Sequence, residues 1–233
     1  QVEDGKPVYE SYNEEVHLAK GDLAIADGVP IFCGIDFGLT PACVFAQRIR
    51  NRWVVFDELV AEDMGIVKFS DLMKQVMAQY LPREFVIFGD PAGDHRVQTD
   101  ESTPFQIMRG KGIYARPAPS NDVTLRLESV SSVLNRMVDG ESGIIIDNKC
   151  NNLIKGFAGG YHYRRLQVSG ERYDEKPNKN RFSHVHDALQ YLLLGAGEGR
   201  ALTIGKKTNK PVVAKRNFNV FDVKPKSVYE RRR

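Results

Sequence analysis

Cysteine is scarce in this 233-residue chain. Cys33, Cys43 and Cys150 are odd in number, far apart and set among apolar or mixed neighbours, with no Cys-x-x-Cys pair. That argues against a disulfide framework or a zinc ribbon and reads as three reduced core thiols. Long apolar runs are missing too: stretches such as residues 191 to 194 fall far short of a bilayer span, so no membrane segment is expected. The opening QVEDGKPVYE has neither a basic start nor an apolar core and does not read as a signal peptide; without an initiator methionine it reads as the cut edge of a longer protein. No Gly-x-x-x-x-Gly-Lys-Ser/Thr phosphate loop occurs, and there is no internal repeat or low-complexity tract.

What is present suits one well-packed core, with 42% apolar and 27% charged residues. Charge is spread unevenly. After Arg200, ten Lys and Arg residues stand against Asp222 and Glu230, a net +8, so the body before them carries −5 within a total of +3. A mildly acidic body with a basic tail suggests an electrostatic arm for nucleic acid or an acidic partner, or a plain solvated tail.

Residues 1 to 30 are weakly patterned and read as a linker or extension. Ile31–Asp36, Ala42–Ile49 and Arg52–Val60 then form three strand-like runs with short turns, a meander. Ile66, Phe69, Met73, Val76, Met77 and Tyr80 fall on one face of a helix that stops before Pro82. FVIFGD, residues 85 to 90, reads as a strand covered on both faces. A short helix at residues 104 to 109 and a short strand at 112 to 116 follow. Asn121 is expected to cap a helix through Val138, with Val123, Leu127, Val130, Leu134 and Met137 inward. Residues 143 to 147 read as strand or turn, 151 to 160 are ambiguous, 161 to 168 extended, and 169 to 181 a polar loop. Ser183 is expected to cap a last helix ending at the glycines near 195 and 197. The order, βββαβαβα with a mixed sheet flanked by helices, is an α/β layout of the ribonuclease H-like kind.

Three carboxylates stand out in that layout. Asp36 ends the first strand of the meander, Asp90 ends the FVIFGD strand, and Asp187 lies in the first turn of the last helix. With those two strands adjacent, Asp36 and Asp90 project from one sheet edge. Three carboxylates converging there would raise one another's pKa unless divalent cations neutralised them, and hard oxygen ligands suit Mg²⁺ or Mn²⁺. Two such ions can activate water and stabilise a leaving oxygen at a phosphodiester. Each aspartate alone has an ordinary reading, as a turn residue or a helix N-terminal charge.

Ile35-Asp36-Phe37-Gly38, Phe88-Gly89-Asp90-Pro91-Ala92-Gly93 and Ser183-His184-Val185-His186-Asp187-Ala188-Leu189 together resemble the C-terminal nuclease domain of the large terminase subunit of tailed bacteriophages. The resemblance covers roughly residues 31 to 197 and implies a ribonuclease H-like nuclease domain there, with residues 198 to 233 as a flexible basic tail. It implies that Asp36, Asp90 and Asp187 are catalytic and bind two Mg²⁺ or Mn²⁺ ions, and that the activity is cutting of concatemeric viral DNA during genome packaging. It also implies portal protein, small terminase subunit and an ATPase motor as partners, in the host cytoplasm. The motor would lie outside this chain, which has no phosphate loop.

Asp94, His95 and His186 adjoin the motifs as candidates for an outer ligand or proton carrier. The His184-x-His186 spelling could suggest zinc, but residues two apart on a helix do not face each other. Arg164, Arg165, Lys176, Lys179 and Arg181, preceding the Asp187 helix, are the best candidates for DNA phosphate contacts. Other readings stay open. Gly34 to Thr40 could be a phosphate-gripping turn of the actin and sugar-kinase type, although the chain is short for two such domains. A junction resolvase or transposase-like nuclease of the same fold, and a non-enzymatic capsid-docking module, are further alternatives.

Overall fold

The computed structural model describes residues 5–94, 102–166 and 172–199. Its centre is a six-stranded mixed sheet in the order β6-β5-β2-β3-β4-β9. Strands β2 (Ile31–Asp36), β3 (Ala42–Ile49) and β4 (Arg52–Val60) form the expected meander with the expected bounds. β5 (Phe85–Gly89) and β6 (Ala115–Pro117) run parallel to β2 on one side, and β9 (Ile144–Ile146) runs parallel to β4 on the other. This is the mixed α/β layout that the sequence order suggests.

Alternation along β2 sorts its side chains between two layers. Ile31, Cys33 and Ile35 join Phe45, Phe69, Met73 and Met108 under α2 (Ile66–Ala78) and α3 (Pro104–Gly110). The other face is covered by α6 (Ser183–Gly195), with α4 (Val123–Leu134) and α5 (Asn151–Lys155) behind it. α6 is a core helix: Val185, Ala188, Leu189, Leu192 and Leu193 are fully buried, each large apolar side chain contributing roughly 1.5–3 kcal/mol. It lies so close to β2 that a Cβ on Gly34 would sit 1.9 Å from the carbonyl oxygen of Ala188.

Residues before β2 wrap this core. β1 (Gly5–Pro7) pairs antiparallel with β10 (His162–Arg164), and α1 (Glu14–His17) buries His17, whose Nε2 lies 3.1 Å from the carbonyl oxygen of Leu134. Within the segment expected as linker or extension, residues 5 to 7 and 14 to 17 make these contacts with the body. Glu198, expected in the tail, is also part of the body, buried and hydrogen-bonded to Trp53. Residues 200 to 233 lie outside the described residues.

Two helix boundaries differ from expectation. The cap of α4 is Asp122, whose carboxylate accepts from the Leu125 N–H at 3.1 Å, and the Asn121 side chain turns elsewhere. α4 ends at Leu134 rather than Val138, because Asp139 (φ 52°) and Gly140 (φ 83°) take the left-handed conformations of a tight hairpin turn. β7 (Met137–Val138) and β8 (Glu141–Ser142) form that hairpin, and Met137 is exposed instead of inward. Ser183 does not cap α6: its hydroxyl donates to the Asn180 carbonyl at 2.7 Å, and the helix opens on Phe182. The ambiguous stretch is α5 followed by a wide turn over Gly156–Gly160.

Candidate active site

The pleat of the sheet brings the acidic residues together. Gly34 faces α6, so Asp36, two residues on, faces it as well. Phe88 of β5 packs on Gly195 of α6, which puts Asp90 on that same side just beyond the strand end. β2 and β5 are parallel neighbours, Ile35 opposite Gly89, and the Asp90 N–H donates to the Ile35 carbonyl at 3.0 Å. Both carboxylates therefore stand at one edge, beside the N-terminal part of α6 and Asp187, which lies in the second turn of that helix rather than the first because the helix already begins at Ser183.

Each carboxylate has its own partners. Asp36 is 7% exposed, with Oδ2 2.9 Å from His184 Nδ1. Burial raises its pKa; the His184 hydrogen bond opposes this, the charge of Asp187 adds to it, and Lys179 opposes it. Asp90 Oδ1 accepts from the Ala92 N–H at 2.8 Å and from Asn121 Nδ2 at 3.2 Å, which fixes the turn into Pro91–Asp94. Asp187 is 1% exposed; Lys179 Nζ donates to its Oδ2, and Arg126 NH1 lies 3.4 Å from its Oδ1. That Oδ1 is buried without a hydrogen-bond partner.

Mutual repulsion is thus relieved by the cationic side chains of Lys179 and Arg126, and Asp36 also has a hydrogen-bond partner in His184, where the sequence points to metal ions. Among the described residues no three His, Cys, Asp or Glu side chains are drawn into one ligand cluster. The donors nonetheless fit a hard divalent cation: three carboxylates share one edge, and a buried oxygen of one lacks a partner. The Lys179 side chain is 67% exposed, so its contact with Asp187 is an easy one to displace.

The other candidates separate. His186 is fully buried, stacked on Tyr161 with ring centroids 5.0 Å apart and edge-on to Phe157; burial lowers its pKa to about 3. It is a neutral core residue with no contact to an aspartate. Asp94 closes the turn after Asp90, and His95 lies outside the described residues. Arg164, Lys176 and Lys179 line one depression of about 480 Å³ together with Asp174 and Glu175. Arg165 is exposed and bridges to Tyr173, and the Arg181 guanidinium lies 4.6 Å from the Phe182 ring centroid.

No protein-family model and no curated protein sequence matches the chain. Solved structures do. The large terminase of a thermophilic bacteriophage matches with a TM-score of 0.63 at 16% identity over 81% of this chain, which spans 44% of that protein. The nuclease domain of the P22 large terminase matches at TM-score 0.54 and 13% identity, covering 82% of this chain and 92% of that one. The large terminase nuclease domain of bacteriophage SPP1, solved with bound Mn, matches at TM-score 0.50 and 16% identity, with 76% and 94% covered. The fold is that of a large-terminase nuclease domain.

Within this terminase-nuclease fold, four residues at the acidic edge are ones that the sequence reading does not place there. His184 enters it only as a zinc partner of His186, although its spacing of three from Asp187 puts both on one helix face. Asn121 enters it only as a cap. Arg126 and Tyr191 are absent from it, yet an arginine four residues before inward Val130, and a tyrosine four after Asp187, carry that same helical signal.

Proposed function

We propose that this chain is a metal-dependent DNA endonuclease that cuts concatemeric viral DNA during genome packaging. The observation that carries the reading is the acidic edge itself, Asp36, Asp90 and Asp187 at the ends of β2 and β5 and in the second turn of α6, in a fold of terminase-nuclease type. The three aspartates would hold two Mg²⁺ or Mn²⁺ ions. Such ions supply a water nucleophile at neutral pH and charge stabilisation at the scissile phosphate.

The chain's own side chains do the rest. His184, tied to Asp36 through Nδ1, keeps Nε2 as the ring atom able to accept a proton from the attacking water. Arg164, Lys176 and Lys179 offer a basic flank for the DNA backbone, with Arg165 and Arg181 as further contacts. Lys179, 67% exposed, would be free to exchange Asp187 for a DNA phosphate if cations were held there. Portal protein, small terminase subunit and an ATPase motor outside this chain are its partners, in the host cytoplasm, and the basic segment after Arg200 strengthens docking to DNA or portal.

The test is cleavage of supercoiled plasmid by the purified chain with Mg²⁺, with Mn²⁺ and with EDTA. Nicking and linearisation in both metals but not in EDTA is the expected result. Inactivity in every metal, with DNA binding intact, would favour the docking module. A strong preference for four-way junctions over linear duplex would turn the reading toward a resolvase.

A further inference from the structure

A chain of three hydrogen bonds crosses behind the acidic edge. Arg126 NH1 donates to the Tyr191 hydroxyl at 2.9 Å. That hydroxyl donates to Asn121 Oδ1 at 2.9 Å, and Asn121 Nδ2 donates to Asp90 Oδ1 at 3.2 Å. At its other end the same Arg126 nitrogen faces Asp187 Oδ1 at 3.4 Å.

The direction of this chain is dictated by its ends. A guanidinium can only donate and a carboxylate can only accept, so the Tyr191 hydroxyl must receive from Arg126 and donate onward. Asn121 must then present its oxygen to Tyr191 and its amide hydrogens to Asp90, which settles its side-chain orientation. Donors polarised in one sense from a cation to an anion reinforce one another. The members come from separate elements: Arg126 from α4, Asn121 from the turn before it, Tyr191 from α6 four residues after Asp187, and Asp90 from the end of β5. Arg126 is 6% exposed, Tyr191 2% and Asn121 exposed, so the relay runs from the core out to the rim.

We propose that Arg126, Tyr191 and Asn121 are positioning residues that hold the Asp90 and Asp187 carboxylates at a fixed separation. Asp36 needs no such device: its strand, Gly34 and the His184 contact already seat it against α6. Asp90 leaves its strand end on a turn, and Asp187 projects from a different element. The hydrogen bonds that end on Asp90 and the Arg126–Asp187 ion pair together link these two carboxylates, and so set the spacing of the cations they would bind. This inference rests on the endonuclease reading and adds residues to it.

The experiment uses Tyr191→Phe, which removes the junction hydroxyl without opening a cavity, Asn121→Ala, which truncates an exposed side chain, and their double variant. Three quantities are measured on each: Mn²⁺ affinity by calorimetry, kcat and KM for duplex cleavage, and thermal midpoint. Each single variant is expected to lose about tenfold in kcat, as for a displaced positioning contact. Mn²⁺ binding should weaken several-fold, with KM for DNA and the midpoint close to wild type, and the double variant should be no worse than either single. Wild-type kcat and Mn²⁺ affinity in both singles would overturn the proposal, as would losses that multiply in the double variant or that follow the midpoint alone. Failure of wild type itself to bind Mn²⁺ or cleave would instead overturn the endonuclease reading, and the positioning role with it.

Discussion

Asp187, in the second turn of α6, and Glu198, just beyond its last turn, are carboxylates of similar burial, 1% and 7% exposed, held in different ways. Both oxygens of Glu198 are engaged. Oε1 accepts from Trp53 Nε1 at 2.8 Å and Arg136 NH2 at 3.2 Å, and Oε2 accepts from Arg136 NH1 at 2.9 Å. Asp187 takes an exposed lysine on one oxygen and leaves the other without a hydrogen bond. A buried carboxylate with both oxygens engaged by fixed donors locks a chain end in place. One left partly unsatisfied, beside two further aspartates, keeps capacity for an incoming cation. One helix thus carries a structural anchor at its C-terminal end and the candidate chemistry at its N-terminal end.

The comparison breaks most visibly at Asp36. On the proposed endonuclease reading, Asp36→Asn should cut metal-dependent plasmid cleavage by ~10³ or more, since it removes one of the charges of the acidic edge. Burial penalises the Asp36 charge, so its neutral replacement should leave the thermal midpoint unchanged or raised. Gly34→Ala should weaken both ends of α6 together. Its Cβ would strike the Ala188 carbonyl, lifting the helix off β2 at a cost of about 3 kcal/mol in denaturant unfolding. Glu198→Gln should destabilise by about 2 kcal/mol through its buried contacts with Trp53 and Arg136, with cleavage per folded molecule retained.

Acid acts on the buried histidine of α6. His186 has its pKa lowered to about 3 by burial, so between there and 6.5 the unfolded chain binds a proton that the folded chain does not. Its contribution to stability is complete above pH 6.5 and is lost as pH falls, by at most about 1.4 kcal/mol per pH unit. The NMR signal of its ring should stay that of neutral imidazole down to pH 4 while the urea midpoint declines. The smallest effect is expected at Lys179. Lys179→Ala should cost about 1 kcal/mol, because it takes from the buried Asp187 its hydrogen-bond donor, while reducing DNA affinity at low salt more than at high salt.

Much of the sheet is legible because β2, β3 and β4 are apolar runs broken by short turns, and their bounds follow from that pattern alone. The hairpin after α4 is not, although Asp139-Gly140 is a strong turn signal, because Met137 continues the helical spacing of the apolar residues before it. The packing of residues 5 to 30 depends on contacts such as His17 with Leu134, which span more than a hundred residues and leave no local pattern. At the site, strand ends and a helix turn point to Asp36, Asp90 and Asp187. Their partners are hidden for one physical reason: Arg126, Tyr191 and Asn121 acquire meaning only when α4 is laid beside α6.

The most direct test of the account is to assay Asp36→Asn and Glu198→Gln side by side for Mn²⁺-dependent cleavage of supercoiled DNA and for thermal midpoint. The account predicts a double dissociation, with Asp36→Asn folded and inactive and Glu198→Gln active and less stable. Cleavage by Asp36→Asn at the wild-type rate, or loss of cleavage by both variants in proportion to their loss of stability, would contradict it.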